Sequence, residues 1–283
     1  MAAARGVGAA HVVFKGTMRI ILKTALAVAA FLCLQSSPAR AQQPFATDDA
    51  DVTPRGHSHF EFSNEYDLLQ RSLFPARAQN TADAELDYGL FGGVEVGVES
   101  PLISIFNARG TAPAAFGIGD TNLSAKYNFL KEREGSRRPA LAASLNVELP
   151  TGDPARQLGS GLTDVWLNGI VQKSVTGRTK LRLNGGVLFA GNTTTGVIGI
   201  KARGVAFTGA GSLVRQFRKR LDLGAEVFGA VSSNLRLSRG QLQAQFGGNY
   251  AVRKNFTLDF GVTGGRFSAS PRLGAQLGVS YDF

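Results

Sequence analysis

The sequence is poor in sulfur. It holds one cysteine, Cys33, and two methionines, Met1 and Met18, all near the N-terminus. Beyond Leu34 the chain can form no disulfide, carries no thiol nucleophile and offers no thiolate metal ligand. It also lacks a P-loop, a Rossmann glycine fingerprint and a zinc-binding helix motif. Helical periodicity is weak. No stretch after Gln42 stays apolar for the roughly 20 residues that a membrane-spanning helix takes. These absences exclude thiol chemistry, nucleotide-dependent catalysis of the common kinds and a helical membrane protein, and no cofactor is expected.

The first thing present is an export signal. Met18 to Leu34 read MRIILKTALAVAAFLCL, with Arg19 and Lys23 before an apolar run from Thr24 to Leu34. Gln35-Ser36-Ser37 and then Ala39-Arg40-Ala41 follow. A basic start, a short apolar core and an A-x-A ending make a secretory signal peptide cleaved after Ala41. The run is too short for a helical anchor. Cys33 follows Phe31-Leu32 rather than small residues, so it is not read as a lipidation site. The expected organisation is a signal peptide over 1–41 (with Met18 as an alternative start), a periplasmic lead-in over 42–56 and a β-barrel over 57–283. The formal charge of +10 overstates the mature chain, because residues 1–41 carry five basic residues and no acid, leaving +5. With an exported chain and no nucleic-acid motif, nucleic acid is not an expected partner.

Alternation with period two runs through the rest, the mark of strands whose two faces differ. At the C-terminus Leu273, Ala275, Leu277, Val279, Tyr281 and Phe283 alternate with Gly274, Gln276, Gly278, Ser280 and Asp282. Phe60 and Phe62 alternate with Glu61 and Ser63, Val94 to Val98 with Glu95 and Glu99, and Leu123 to Phe129 with Lys126 and Asn128. Counting a poorer segment near Val205 to Val214, the pattern predicts about twelve strands. An even number suits a closed bacterial barrel. The fold expected is therefore all-β, a transmembrane antiparallel barrel.

Two kinds of connection alternate. One is short or basic, as in Lys131 to Arg138 (KEREGSRR) and Arg215 to Arg220 (RQFRKR). The other is mostly longer and rich in Gly, Pro, Ser and Thr, as in Pro101 to Gly117, Pro150 to Gly161 and Gly191 to Gly199. Short periplasmic turns and long outer loops are the usual asymmetry. Aromatics are expected in two girdles. Phe60, Tyr88, Tyr127, Phe129, Tyr250, Phe256, Tyr281 and Phe283 fall at the periplasmic ends, and Phe189, Phe207, Phe228 and Phe267 nearer the other rim. Trp166 breaks the pattern, since its parity turns it into the lumen with Asp164 and Asn168.

Alternation alone does not separate a membrane barrel from a soluble one turned inside out. The terminal aromatic, the strong apolar half of so many strands and the charge on the other half favour the membrane. Several segments add a resemblance: Pro44 to Asp49 (PFATDD), Gly117 to Asp120 (GIGD), Leu149 to Asp153 (LPTGD) and the final Tyr281-Asp282-Phe283. The chain resembles the outer-membrane transporter family named for the meta-pathway of phenol degradation. That resemblance implies a channel or transporter for hydrophobic or aromatic small molecules. Outer-membrane barrels as a class end in an aromatic read by the assembly machinery, a role that Tyr281 and Phe283 fit.

The candidate lumen-lining residues are Glu61, Glu85, Glu95, Glu99, Lys126, Glu148, Arg182 and Gln243. Rings of charge set selectivity in a pore, whereas a salt-bridged interior would be closed, and a barrel of this size permits either. His57-Ser58-His59, near Asp48, Asp49 and Asp51, is a tempting metal or hydrolase cluster. No matching partners follow in later strands, so neither a metal site nor an enzyme is expected. The TDDAD run is read as a solvated lead-in that at most folds into the barrel mouth. The expected function is passive passage of small molecules, with outer-membrane lipids, the assembly machinery and a small solute as partners. The alternatives are a closed structural or adhesive barrel and, less favoured, a lipid-modifying barrel enzyme.

Overall fold

A computed structural model describes residues 44–110, 112–133, 135–232 and 240–283. The expected signal peptide lies outside these residues. Thirteen strands follow one another: β1 (Ser58–Leu68), β2 (Ala76–Phe91), β3 (Val94–Asn107), β4 (Ala115–Ile118), β5 (Thr121–Leu130), β6 (Ala140–Leu149), β7 (Asp164–Thr176), β8 (Thr179–Phe189), β9 (Val205–Arg218), β10 (Leu221–Ser232), β11 (Gln241–Arg253), β12 (Phe256–Gly265) and β13 (Leu273–Asp282). Sequential neighbours pair antiparallel, and β1 pairs with β13 in the register His59↔Asp282 to Leu68↔Leu273. The sheet is thus closed and has no free edge along its staves.

The thirteen strands make twelve staves. β5 pairs with Val94–Glu99 of β3, and β4 pairs further along the same strand with Leu102–Ile105. β4 and β5 are one stave, broken at Gly119-Asp120. Pro101 lies at that break. A proline removes one ladder donor, and here neither β4 nor β5 has a partner residue opposite it. That is why β3 runs on to Asn107 through a stretch that the sequence suggests is loop. β2 begins at Ala76 and is the longest of the strands, at 16 residues.

Which face is which is decided by exposure. Large apolar side chains stand on the outside: Leu145, Leu167, Leu183, Leu213, Val227 and Phe246 are between 42% and 55% exposed. Glu61, Glu95, Lys126, Arg182, Glu226 and Asp259 are buried on the inner face, none more than 7% exposed. A water-soluble barrel requires the opposite arrangement. An apolar outer belt around a polar interior fits a hydrocarbon surround, in which closed strands satisfy every backbone group.

The girdle expectation holds for Tyr88, Tyr127, Phe129, Tyr250, Phe189 and Phe207, which are outward and exposed. It fails at Phe228, which shares the inner face with Glu226 and lines the lumen. Parity along β10 decides the point: Glu226 and Phe228 are two apart and so point the same way. Trp166 does face the lumen, paired with Asn146 and Leu188 in an unbroken register.

At the short-turn end, Glu132 ties the β5–β6 turn to β7. Burial would raise its carboxyl, but hydrogen bonds from Lys173 and from the backbone N–H of Ser174 hold it below the usual carboxylate range. At the long-loop end, Leu158, Val197 and Leu69 bury against Ile103, Ile105 and Ala115. Ile200 packs with Ala230 and Ala269. The Gly191–Gly199 loop is pulled inward by Gln79, which accepts from the Val197 N–H at 2.9 Å and donates to the Thr195 carbonyl at 3.0 Å.

Candidate functional site

The barrel register builds the site. Glu61 on β1 stands opposite Glu85 on β2, and Glu85 stands opposite Glu99 on β3. The row continues through Asn122 on β5 and Glu148 on β6 to Asp164 on β7. Five carboxylates and one amide thus form an arc across six adjacent staves. Side chains directly opposite on neighbouring strands approach closely, and like charges in such pairs repel. Part of this is offset: His59 Nε2 lies 2.7 Å from Glu61. The Asn122 amide donates to Glu99 at 3.3 Å, and the backbone N–H of Asn192 donates to Asp164 at 3.2 Å. Glu148 Oε1 has no hydrogen-bond partner among the described residues.

All of the arc but Asp164 borders a cavity of about 540 Å³ inside the barrel. Of the residues singled out in the sequence, Glu61, Glu85, Glu95, Glu99, Lys126, Glu148 and Gln243 all line it. Arg182 is buried on the wall beside it, 6% exposed. The amides Gln241, Gln243 and Gln245 extend along β11 on the same face, and Trp166 and Phe228 add apolar patches.

Beyond His59, the lysine and arginine ion pairs among the described residues fall elsewhere. Lys126 Nζ lies 3.2 Å from both Asp48 and Glu95, Arg182 Nη2 lies 3.1 Å from Asp49, and Lys180 Nζ lies 3.7 Å from Asp51. Three of these four partners are the aspartates of the TDDAD run. That run is not a solvated lead-in: it threads the barrel interior at the short-turn end. Thr47 donates from its backbone N–H at 2.8 Å and its hydroxyl at 2.6 Å to Glu226. Asp48 and Asn184 exchange backbone–side-chain bonds at 2.6 and 2.9 Å. Ala50 is fully buried against Ala140, Ala142 and Ile170, and its carbonyl accepts from Asn128. The segment leaves along β2, where the Gly56 N–H donates to the Gly89 carbonyl at 2.8 Å.

Sequence reasoning missed this segment because every contact joins residues far apart in the chain. One signal was present: inward positions facing it are glycine. A Cβ on Gly89 would come within 2.2 Å of the Pro54 carbonyl oxygen, and one on Gly224 within 2.8 Å of the Phe45 ring.

His59 sits at the β1–β13 seam, 2.7 Å from Glu61 and 2.5 Å from Asp282. Both ring nitrogens are engaged, so neither is available to activate a hydroxyl. Among the described residues no group of three or more His, Cys, Asp or Glu side chains could hold a metal ion.

The family described as "Putative MetA-pathway of phenol degradation" matches residues 76–283. No curated protein is a significant match to the sequence. Among solved structures the chain resembles an outer membrane channel from Pseudomonas putida F1, with a TM-score of 0.64 and 13% identity over 83% of this chain and 98% of that one. It also resembles the KdgM porin, solved in complex with disordered oligogalacturonate, with a TM-score of 0.54 and 11% identity over 80% of this chain and 99% of the porin. The NanC porin gives a TM-score of 0.54 and 9% identity over 78% of this chain and 98% of that porin. The fold is that of outer-membrane channels and porins, and with the exposed apolar belt it places the chain in the outer membrane.

Proposed function

This chain belongs to the family described as "Putative MetA-pathway of phenol degradation", and from that premise we propose that it is a channel for passive passage of small molecules across the outer membrane, with a preference for cations. The observation that carries this reading is the row of Glu61, Glu85, Glu99 and Glu148, on adjacent staves, bordering an internal cavity. Carboxylates placed side by side are costly in a dry interior. They are tolerable where water and passing cations offset their charge, as in the charged rings of cation channels. The family description points to aromatic compounds, and small uncharged aromatics would cross the same lumen by diffusion. Outer-membrane lipids surround the barrel, and the assembly machinery would read Tyr281 and Phe283.

The test is conductance in planar bilayers. Purified protein should give discrete steps with a cation-favouring reversal potential. Glu85→Gln, Glu99→Gln and Glu148→Gln together should weaken that preference without closing the channel. A folded barrel that gives no steps, and no solute uptake in liposomes, overturns the proposal. A second reading, a closed structural or adhesive barrel, is favoured by one observation: the N-terminal segment occupies part of the lumen. Catalysis is not proposed, because His59 is held between two carboxylates.

A further inference from the structure

We propose that the long-loop end of the barrel carries a capture site for an amphiphilic organic anion, with an apolar body in the cavity between the loops and a carboxylate-type head against Arg156 and Lys201. Its place on a solute's path rests on the channel reading above, while the binding itself does not.

A second cavity lies at this end, of about 860 Å³. Pockets of roughly 300–1,000 Å³ take small organic ligands. It shares no lining residue with the lumen cavity, and the partition is the β8–β9 loop. Thr193, Thr195 and Ile198 border the lumen, whereas Val197, Gly199 and Ile200 border the second cavity. The chemistry changes across that loop. The lumen side carries the acidic row. Among the described residues around the second cavity there is no acid, and the two charged ones are Arg156, between β6 and β7, and Lys201. Neither forms an ion pair with a described residue. Partial burial holds the Lys201 ammonium below the usual lysine value, so an anion beside it would favour its charged form.

The walls are apolar and held in place. Ile105, Ala115 and Val197 come from one packed cluster, and Ile200 and Ala269 from another. The Gly199 N–H donates to the Ala269 carbonyl at 2.8 Å, and the Ala108 N–H to the Pro75 carbonyl at 2.9 Å, which ties the surrounding loops together. Phe74 borders the cavity from the β1–β2 loop, outside any strand, and is 72% exposed. A ring left in water beside an apolar hollow offers a ligand a stacking surface. Apolar walls with cations and no acids select an organic anion over a neutral or cationic molecule of the same shape. The acidic row repels that anion, so a weak acid held here continues inward in its neutral form.

The experiment titrates three probes, naphthoate, naphthylmethanol and naphthylmethylammonium, into the folded barrel in nanodiscs of zwitterionic lipid, with empty nanodiscs as the baseline. Naphthoate should bind saturably, more tightly than the alcohol and far more tightly than the ammonium probe, and should weaken with added salt. Arg156→Gln and Lys201→Gln should each lower naphthoate affinity about threefold, and together erase its advantage over the alcohol. Phe74→Ser should weaken naphthoate and the alcohol alike. All three positions are exposed, so the variants should fold, which migration on unboiled gels checks. A naphthoate preference that survives the double substitution, or tighter binding of the ammonium probe, overturns the site. Absence of saturable binding overturns it too, including where light scattering shows a second copy of the chain over the cavity. A parent that conducts in bilayers without this binding leaves the channel standing and the site overturned. Binding by a barrel that never conducts keeps the site and overturns the channel.

Discussion

The carboxylate of Asp120 accepts the backbone N–H of Gly152 at 2.9 Å, joining the GIGD and LPTGD motifs across 32 residues. Its second oxygen accepts from the Ser160 N–H, and Thr151 Oγ1 donates to the Gly119 carbonyl at 2.8 Å. Two motifs that carry the family resemblance are thus one clamp, holding the base of the loop that buries Leu158. Gly159 is part of it, since a Cβ there would lie 2.3 Å from Asp120 Oδ1.

Asp120→Ala should therefore destabilise the barrel. A buried acceptor lost from two backbone donors costs about 1–3 kcal/mol. The expected readout is a lower temperature for the shift from folded to unfolded migration on gels. Parent-like heat resistance would show that the clamp is dispensable.

Leu167 separates a lipid-facing wall from a wet one. It is 51% exposed and flanked on its neighbours by Leu145 and Val187. Leu167→Arg should lower stability in lipid, because a charge would stand on the hydrocarbon-facing wall. The same change on the solvated face of a soluble barrel is close to neutral. Equal stability of variant and parent in refolding titrations into lipid vesicles would contradict the embedded position.

Orientation can be read by labelling. By the rule that short turns face the periplasm, Ala155→Cys should react with an impermeant maleimide on intact cells and Arg137→Cys should not. Both positions are exposed, so access differs by side of the membrane and not by burial. The reverse pattern would invert the barrel.

Phe283→Ser should lower the amount of folded barrel in the outer membrane and raise periplasmic degradation. The terminal aromatic follows the strand that closes the sheet, and it is expected to present the signal for insertion. Normal abundance of heat-modifiable protein would count against that role.

Much of this was legible before any coordinates. Period-two alternation is a local property, so the twelve staves and the inward parity of Trp166 followed from counting. β9 read poorly because both its faces carry small residues: Ala206, Thr208, Ala210 and Ser212 inside, Gly209 and Gly211 outside. Pro101 misled because its missing donor falls where the sheet has no partner to bond. Phe228 was assigned to a rim by residue type, where parity would have corrected it. The acidic wall was legible as a list of glutamates, but their alignment into one arc depends on register between strands, which no single segment encodes. The seating of the Asp48–Asp51 run was hidden for a stronger reason. Asp49 meets Arg182 across 133 residues, and only the closed sheet brings them together.

The seam between β1 and β13 has a consequence for how the molecule is made. Each of the other stave pairings joins neighbours in sequence and can form as a local hairpin as soon as its two strands are available. The seam joins His59 to Asp282, 223 residues apart, and cannot exist until the last strand has been supplied. Until then the growing sheet has two open edges, each a template for wrong partners, and the loop to be closed is nearly the whole barrel. The final step of assembly is then a zipping of first strand to last, and His59, between Glu61 and Asp282, is the latch at the end where that zip finishes or begins.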